Sequence, residues 1–407
     1  MKKIRFGVNY IPSKNWLHSW MDWDEKSVEE DLLACKAIGI DHIRAHVIWP
    51  YFQVDQYVIN KQAFRNLESF RKICEKVGMD FCLTVFTGWM SGLYLLPSWL
   101  QNIGKCGFGE GIFNNEEIIK GEKYFIKELT AVVGDSPNFL GYDLGNELSC
   151  LARNDKFLTI KDADKWNTDM LNYCEELVPN KLHNNGDDHQ PWLTNQYFSK
   201  EVLANTGAIT PLHCYALFTG ALGRFGRDSI ESIHLAPFMQ EIAQAYSKDP
   251  NNRKYWVQEF GTVSVKLDEE IFDFMRKSID AMYTQNNLWG ITWWCSHNIS
   301  KEHTSFNAKE YELGLFDNNN KITDSGKMFY DMVKKYNENP VMPKARTSAI
   351  IWDNFEYLNN PLDVAWQNGK RYADCIRQGI YPAIILPEKA NDVEYLKSRN
   401  ITEILDI

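Results

Sequence analysis

The sequence predicts a (β/α)₈ barrel followed by a small C-terminal α/β appendage. Eight short runs of strand character alternate with helical segments over residues 1–338. The chain has 407 residues, which suits one barrel of roughly 250 to 350 residues plus an extra unit. Two of the strand runs, the fourth and the seventh, stop at a glutamate. A doubly wound parallel sheet shares the alternation, so periodicity alone does not choose between the two architectures.

The first strand is residues 5–9 (RFGVN), and the helix at 27–38 that follows stops before Gly39, a candidate cap. Residues 41–47 (DHIRAHV) form the second strand, and an amphipathic helix at 64–77 ends at Gly78. The third strand is 80–86 (DFCLTVF), with a helix at 118–133 behind it. The fourth strand is 139–144 (FLGYDL), followed by a helix at 163–177. The fifth is expected at 192–196 (WLTNQ) and the sixth at 211–215 (PLHCY), with a helix at 235–245. The seventh is 255–259 (YWVQE), before a helix at 269–285, and the eighth is 290–294 (GITWW). A helix at 327–336 closes the barrel, and a connector with Pro and Asn leads to residues 345–407. There SAIIW, PAIILP and TEILDI alternate with helices near 361–378 and 393–397. That pattern predicts a three-stranded α/β unit for packing or dimerisation, with no catalytic constellation of its own.

Composition narrows the partners. A net charge of −10 argues against nucleic acid and anionic membrane surfaces. No run is long enough to span a bilayer, and the start MKKIRFGVNYIPSKNW has no signal-peptide core. The nine cysteines are scattered and form no CxxC pair, which fits reduced thiols in the cytoplasm and argues against zinc. Asn318-Asn319-Asn320 lacks the spaced Gly and Glu of a calcium loop and reads as a turn. No metal or cofactor is expected. GxSxG, Walker, HExxH and GxGxxG motifs are absent from the sequence.

In a barrel, reactive groups sit at the C-terminal ends of strands. The fourth strand ends in Gly145-Asn146-Glu147 and the seventh in Glu259. Strands four and seven lie across the barrel from one another, so the two carboxyl groups face a common pocket. A facing pair, one protonated and one ionised, is what cleavage of a glycosidic bond requires, whereas a single glutamate after a strand is usually just solvated.

Arg44 in IRAHVIW, YDLGNE (142–147), HCY (213–215), QEFG (258–261), the Trp293-Trp294 pair and ELGLFDNNNK (312–321) appear in this order. In this series the chain resembles the retaining glycosidases with catalytic residues on strands four and seven, and most of all glycoside hydrolase family 5. The resemblance covers residues 1–336 and implies Glu147 as acid/base and Glu259 as nucleophile. It also implies that Asn146 binds the sugar 2-hydroxyl, that Arg44 and Tyr215 keep Glu259 ionised, and that His213 orients the acid/base or the sugar. Trp294 is the expected sugar platform and Trp293 a core filler, although the reverse assignment is open. Two features depart from the family pattern: Leu148 stands where many members have Pro, and FTGWMSG replaces a strand-three His, so that Trp89 takes that surface. Trp20 and His297 are further candidates for the cleft, as are Tyr10, Trp16, Trp49 and Trp99.

Within that family, TWWCSHN after strand eight and the α/β tail resemble the β-mannosidase-like members. The expected activity is therefore hydrolysis of β-mannosides or short β-linked manno-oligosaccharides with retention, exo-acting and without cofactor. An endo-acting β-1,4-glucanase or mannanase, or a β-glucosidase, is the alternative enzyme, and homo-oligomerisation is left open. A carbohydrate-binding barrel that has lost catalysis is the alternative of another class, and it is disfavoured because both glutamates and their supporting residues are present. An aldolase-like barrel would need a strand-end lysine or a metal cluster, which the sequence does not offer.

Overall fold

The computed structural model describes residues 4–104, 109–262, 267–340 and 342–406. Seven parallel strands form one sheet, in the spatial order Phe139–Gly145, Asp80–Thr87, His42–Ile48, Arg5–Tyr10, Leu288–Trp293, Tyr255–Phe260, Thr210–His213. This order is cyclic: the first strand pairs with both the second and the last, through Gly7 with His42 and Phe6 with Ile291. A doubly wound sheet reverses direction at a switch point, and this one does not. The fold is a (β/α)₈ barrel.

The fifth stave departs from expectation. Residues 192–196 are not a strand, because Gln190–Thr194 is a short helix with Pro191 in its first turn. The gap between the fourth and sixth strands is filled instead by residues 182–186 (LHNNG). There Leu182 N donates to Leu140 O (2.7 Å), Asn184 N to Tyr142 O (2.9 Å) and Leu144 N to Asn184 O (2.9 Å). On the other side, Ala208 N donates to His183 O (2.8 Å). The stave carries few apolar residues because its side chains bond to polar neighbours, so no hydrophobic run marks it. Gly186, at φ +66°, closes it: a Cβ there would lie 1.9 Å from Asp143 Oδ1.

The outer helices start on side-chain caps, among them Asp24, Asn60, Asn115, Thr159 and Thr323. Each cap accepts a backbone N–H that the first helical turn leaves unpaired. The aromatic richness of the sequence is largely core, since Trp49, Trp166, Trp192, Trp256 and Trp293 are fully buried. Burying each contributes about 3 kcal/mol. Among the described residues no helix is long and apolar enough to cross a membrane.

Beyond residue 345, a three-stranded parallel sheet has Ser348–Ile351 at its centre, flanked by Ala383–Ile385 and Glu403–Ile404. It packs on the barrel through the helix Pro361–Arg377. Trp366 of that helix stacks on Phe238 at 6.0 Å and donates from Nε1 to Thr219 O at 3.0 Å. Beneath it, Glu241 lies between Arg346 (3.0 Å) and Arg399 (3.6 Å), all three buried.

Candidate active site

The C-terminal ends of the strands converge on a cleft of about 850 Å³. Arg44 projects inward from the second strand and is fully buried. Its Nε donates to Asp143 Oδ2 (2.6 Å), and its Nη1 to Glu259 Oε1 (2.6 Å) and Asn9 Oδ1 (3.1 Å). Asn9 Nδ2 donates in turn to the carbonyls of Gln258 and Trp293. Tyr215 Oη donates to the other oxygen of Glu259 (3.0 Å). Glu259 thus receives two strong donors while only 5 % of its side chain is exposed.

Glu147 follows the fourth strand in a left-handed conformation, φ 50° and ψ 62°. A non-glycine residue holds that backbone only when its surroundings impose it. Here Glu147 N donates to Gly186 O (2.9 Å), and Ser149, two residues on, is clamped by Asp187 through its N–H (2.9 Å) and hydroxyl (2.8 Å). The turn aims the Glu147 carboxylate into the cleft, where Trp89 Nε1 donates to Oε2 at 3.2 Å and His213 Nδ1 faces Oε1 at 3.2 Å. His213 Nδ1 also lies 3.6 Å from Glu259 Oε2. Oxygens of Glu147 and Glu259 and a nitrogen of His213 all fall within 4.8 Å of one another. Two carboxyl groups this close have the spacing that flanking a single bond requires.

The charges are strongly interdependent. Burial alone would lower His213, but the charge of Glu259 and the bond to Glu147 outweigh it and raise the imidazole to about 9. Glu147 feels an opposing burial effect, yet the His213 bond and charge bring its carboxyl below the ordinary value. Burial raises Glu259 and the nearby Glu147 charge adds to that rise, against the pull of His213, Arg44 and Tyr215. His213 is thus the group raised and Glu147 the group lowered, across from Glu259, whose carboxylate Arg44 and Tyr215 face.

Asn146 is buried beside the cleft; its Nδ2 donates to Trp89 O (3.0 Å) and its Oδ1 has no protein partner. Trp294 lines the cleft, while Trp293 is fully buried with Nε1 on Leu313 O. Of the two tryptophans, only Trp294 is open to the cleft.

Two candidates do not reach the cleft. His297 is fully buried, with Nδ1 against Ile11 O and Ser296 Oγ and Nε2 against Asn320 Oδ1. It ties the segment after the eighth strand to the first strand and to the turn at Asn320, so it cannot contact a sugar. Trp20 is also buried: it stacks on Trp23 at 5.3 Å and donates to His46 O. Tyr10, Trp16, Trp49 and Trp99 are likewise core. The residues that sequence reading missed come from loops and short-helix ends beyond the strands. Ser91, Arg153, Asp188, His189, Gln190, Phe218 and Glu310 all line the cleft. Glu310 and Asp188 bring the carboxyls of the lining to four, and Glu310 is raised by burial and by the charges of Glu259 and Glu147. Asp143 carried a usable signal, a charge inside an apolar strand, the same signal that marked Arg44.

No family model and no curated protein matches the sequence. Solved structures do. A GH5_18 protein from Streptomyces cattleya, crystallised with GlcNAc, is 29 % identical with a TM-score of 0.91, covering 99 % of this chain and 98 % of its own. A variant of that protein was crystallised with Manβ1-4GlcNAc, at 28 % identity and TM-score 0.90, covering 99 % of this chain and 98 % of its own. A GH5_18 protein from Bifidobacterium longum subsp. infantis is 29 % identical with TM-score 0.90, covering 100 % of this chain and 97 % of its own. An exo-β-1,4-mannosidase from Opitutaceae bacterium strain TAV5, at 20 % identity and TM-score 0.78 over 94 % of this chain and 69 % of its own, shares the fold. Near-complete overlap with these structures, on a barrel whose mouth brings paired glutamates together, marks the chain as an O-glycosyl hydrolase similar to the GH5_18 proteins.

Proposed function

We propose that the protein is an exo-acting β-mannosidase that cleaves short β-mannosides with retention of configuration. Glu259 attacks the anomeric carbon while Glu147 protonates the leaving oxygen, and a glycosyl-enzyme forms. Glu147 then takes a proton from the water that hydrolyses it. The observation that carries this reading is the closeness of the two carboxylates, with oxygens within 4.8 Å. Retaining enzymes hold their carboxyl groups about 5 Å apart, whereas inverting ones leave room for a water. Asn146 lines the cleft beside Glu147 and is the residue we assign to the sugar 2-hydroxyl, and Trp294 supplies the face on which that sugar rests.

The substrate class is supported by the relatives crystallised with Manβ1-4GlcNAc and GlcNAc. Exo action fits the disaccharide Manβ1-4GlcNAc bound by a relative, which offers a single glycosidic bond. The described cysteines are all free and buried, which suits a reducing compartment, and we place the enzyme in the cytoplasm acting on imported oligosaccharides.

Hydrolysis of 4-nitrophenyl β-mannoside, β-glucoside, β-galactoside and β-xyloside, together with Manβ1-4GlcNAc and longer mannans, tests the reading. Cleavage of the mannoside and the disaccharide is expected, with the β-anomer released first and activity lost by roughly 10⁴-fold or more in Glu259→Ala. Preference for the glucoside would make it a β-glucosidase, and action on polymers alone an endo-enzyme. Sugar binding without cleavage would make it a binding protein. Full activity in the variant would remove Glu259 as nucleophile.

A further inference from the structure

A chain of buried amides runs from the fifth stave to the catalytic pair. Asn184 Nδ2 donates to Leu182 O (3.1 Å), with Cys82 Sγ at 3.9 Å, so its Oδ1 is the atom left facing Gln258. Gln258 Nε2 donates to that oxygen (3.0 Å), which turns Gln258 Oε1 toward His213 Nε2 (3.2 Å). An amide oxygen only accepts, so His213 Nε2 must carry a hydrogen. Asn184, Gln258 and His213 are all fully or almost fully buried, and water does not compete for these bonds.

This fixes the state of the other ring nitrogen. With Nε2 always protonated, neutral His213 presents the lone pair of Nδ1 to Glu147 Oε1, and charged His213 presents an N–H there. One proton then has two positions, Nδ1 and Oε1, across 3.2 Å. The reverse amide orientation would put the neutral ring's hydrogen permanently on Nδ1. Glu147 would then be a hydrogen-bond acceptor only, and it would have no proton to give to a leaving oxygen.

We propose that Asn184 and Gln258 are positioning residues that hold His213 with Nε2 protonated, so that its Nδ1 stores and returns the proton that Glu147 delivers in catalysis. The proposal rests on the acid/base role of Glu147 given above. In the forward step the O–H bond of Glu147 breaks as the leaving oxygen gains the proton and takes the electron pair of the glycosidic bond. In the return step the attacking water gives its proton to Glu147, so the pair ends each turnover with the proton it began with. The groups facing His213 are Glu147, Glu259 and Arg44, with Asp143 and His46 within range of its charge. The raised imidazole fits a ring lodged between two carboxylates.

The test compares substrates with different needs for acid assistance. Gln258→Met keeps the volume and removes the acceptor. It is expected to slow Manβ1-4GlcNAc cleavage by roughly 10- to 100-fold, the worth of one hydrogen bond to a charged group. Pre-steady-state release of 2,4-dinitrophenol from its β-mannoside, which needs no proton, should stay within roughly threefold on the same scale. The alkaline limb of the rate profile should move to lower pH in Gln258→Met and to higher pH in Gln258→Glu, whose carboxylate holds the imidazolium. An equal loss on both substrates, no loss at all, or shifts of the same sign would overturn the proposal. ¹⁵N spectra of His213 in the wild-type enzyme supply a readout that does not depend on a variant folding. A neutral ring protonated on Nδ1 would sink the idea. If the enzyme cleaves a β-glycoside other than a mannoside, the substrate reading fails, but the leaving-group comparison on that glycoside still decides the relay.

Discussion

Two buried ion networks lie in this molecule, one at the mouth of the barrel and one where the C-terminal sheet meets its flank. At the flank, Glu241 sits between Arg346 and Arg399. The two guanidinium groups direct other N–H groups to main-chain carbonyls, Arg346 to Thr284 O and Lys344 O and Arg399 to Ile384 O. At the mouth, Arg44 and His213 face three carboxylates, those of Asp143, Glu259 and Glu147. The excess there is negative and borders open space, and Asn146 Oδ1 beside it has no protein partner. Each network holds buried polar atoms without a hydrogen-bond partner, Glu241 Oε2 and Arg346 Nη2 at the flank and Asp143 Oδ1 and Arg44 Nη2 at the mouth. The flank network is enclosed by the chain and acts as an adhesive, whereas Glu147 and Glu259 of the mouth network line the cleft, where a substrate can meet them. Desolvation makes both costly, so the contrast lies in where compensation comes from.

The contrast is broken most sharply at Arg44. Arg44→Lys keeps a charge but loses the fork that reaches Asp143 and Glu259 together, and kcat/KM should fall by roughly 10³-fold. A loss under threefold would mean that Glu259 does not rely on the guanidinium. At the flank the same kind of change should spare catalysis. Glu241→Gln strands two buried cations and should lower unfolding free energy by about 3 kcal/mol, with kcat/KM unchanged. Denaturant titration and steady-state kinetics on one sample separate these outcomes, and a parallel fall in activity would show that the two networks communicate.

A smaller effect belongs to a carboxyl in neither network. Burial raises Glu122 from 4.5 to about 8, and its one partner is Trp166 Nε1 at 2.8 Å. The unfolded chain ionises this group near 4.5 and the folded chain near 8. Its stabilising effect is therefore full below about 4.5 and is lost as pH rises through that window. Between pH 5 and 8 the wild-type protein should lose roughly 1–3 kcal/mol more than Glu122→Gln, which cannot ionise. Identical slopes would show that Glu122 is already charged in the folded core.

These three positions differ in how visible they are from sequence. Arg44 and Asp143 stand out because a charge interrupts an apolar strand, and the strands that carry Glu147, His213 and Glu259 are readable for the same reason: their interiors are apolar and their ends are not. The fifth stave has no such contrast. His183, Asn184 and Asn185 are held by polar bonds, so the periodic signal falls instead on Trp192 and Leu193, which belong to a helix. His297 and Trp20 show a second limit. Their places after a strand or in the first loop were compatible with the cleft, but the direction a side chain takes is set by tertiary partners, Ile11 and Asn320 for one and His46 for the other. Ser91 and Glu310 reach the cleft from loops that meet only in three dimensions.

The contact of Trp366 with Thr219 has a consequence for how such a gene varies. Thr219 N donates to Tyr215 O, and Tyr215 holds Glu259, so the tail lies three contacts from a proposed catalytic residue. The residues beyond 345 are therefore not cargo to be exchanged by recombination. A crossover before them would hand the barrel a foreign neighbour with no indole for Thr219 and no arginines for Glu241. Barrel and tail thus form one packed unit, and a chain cut before residue 345 would leave Thr219 O without its indole and Glu241 without its arginines.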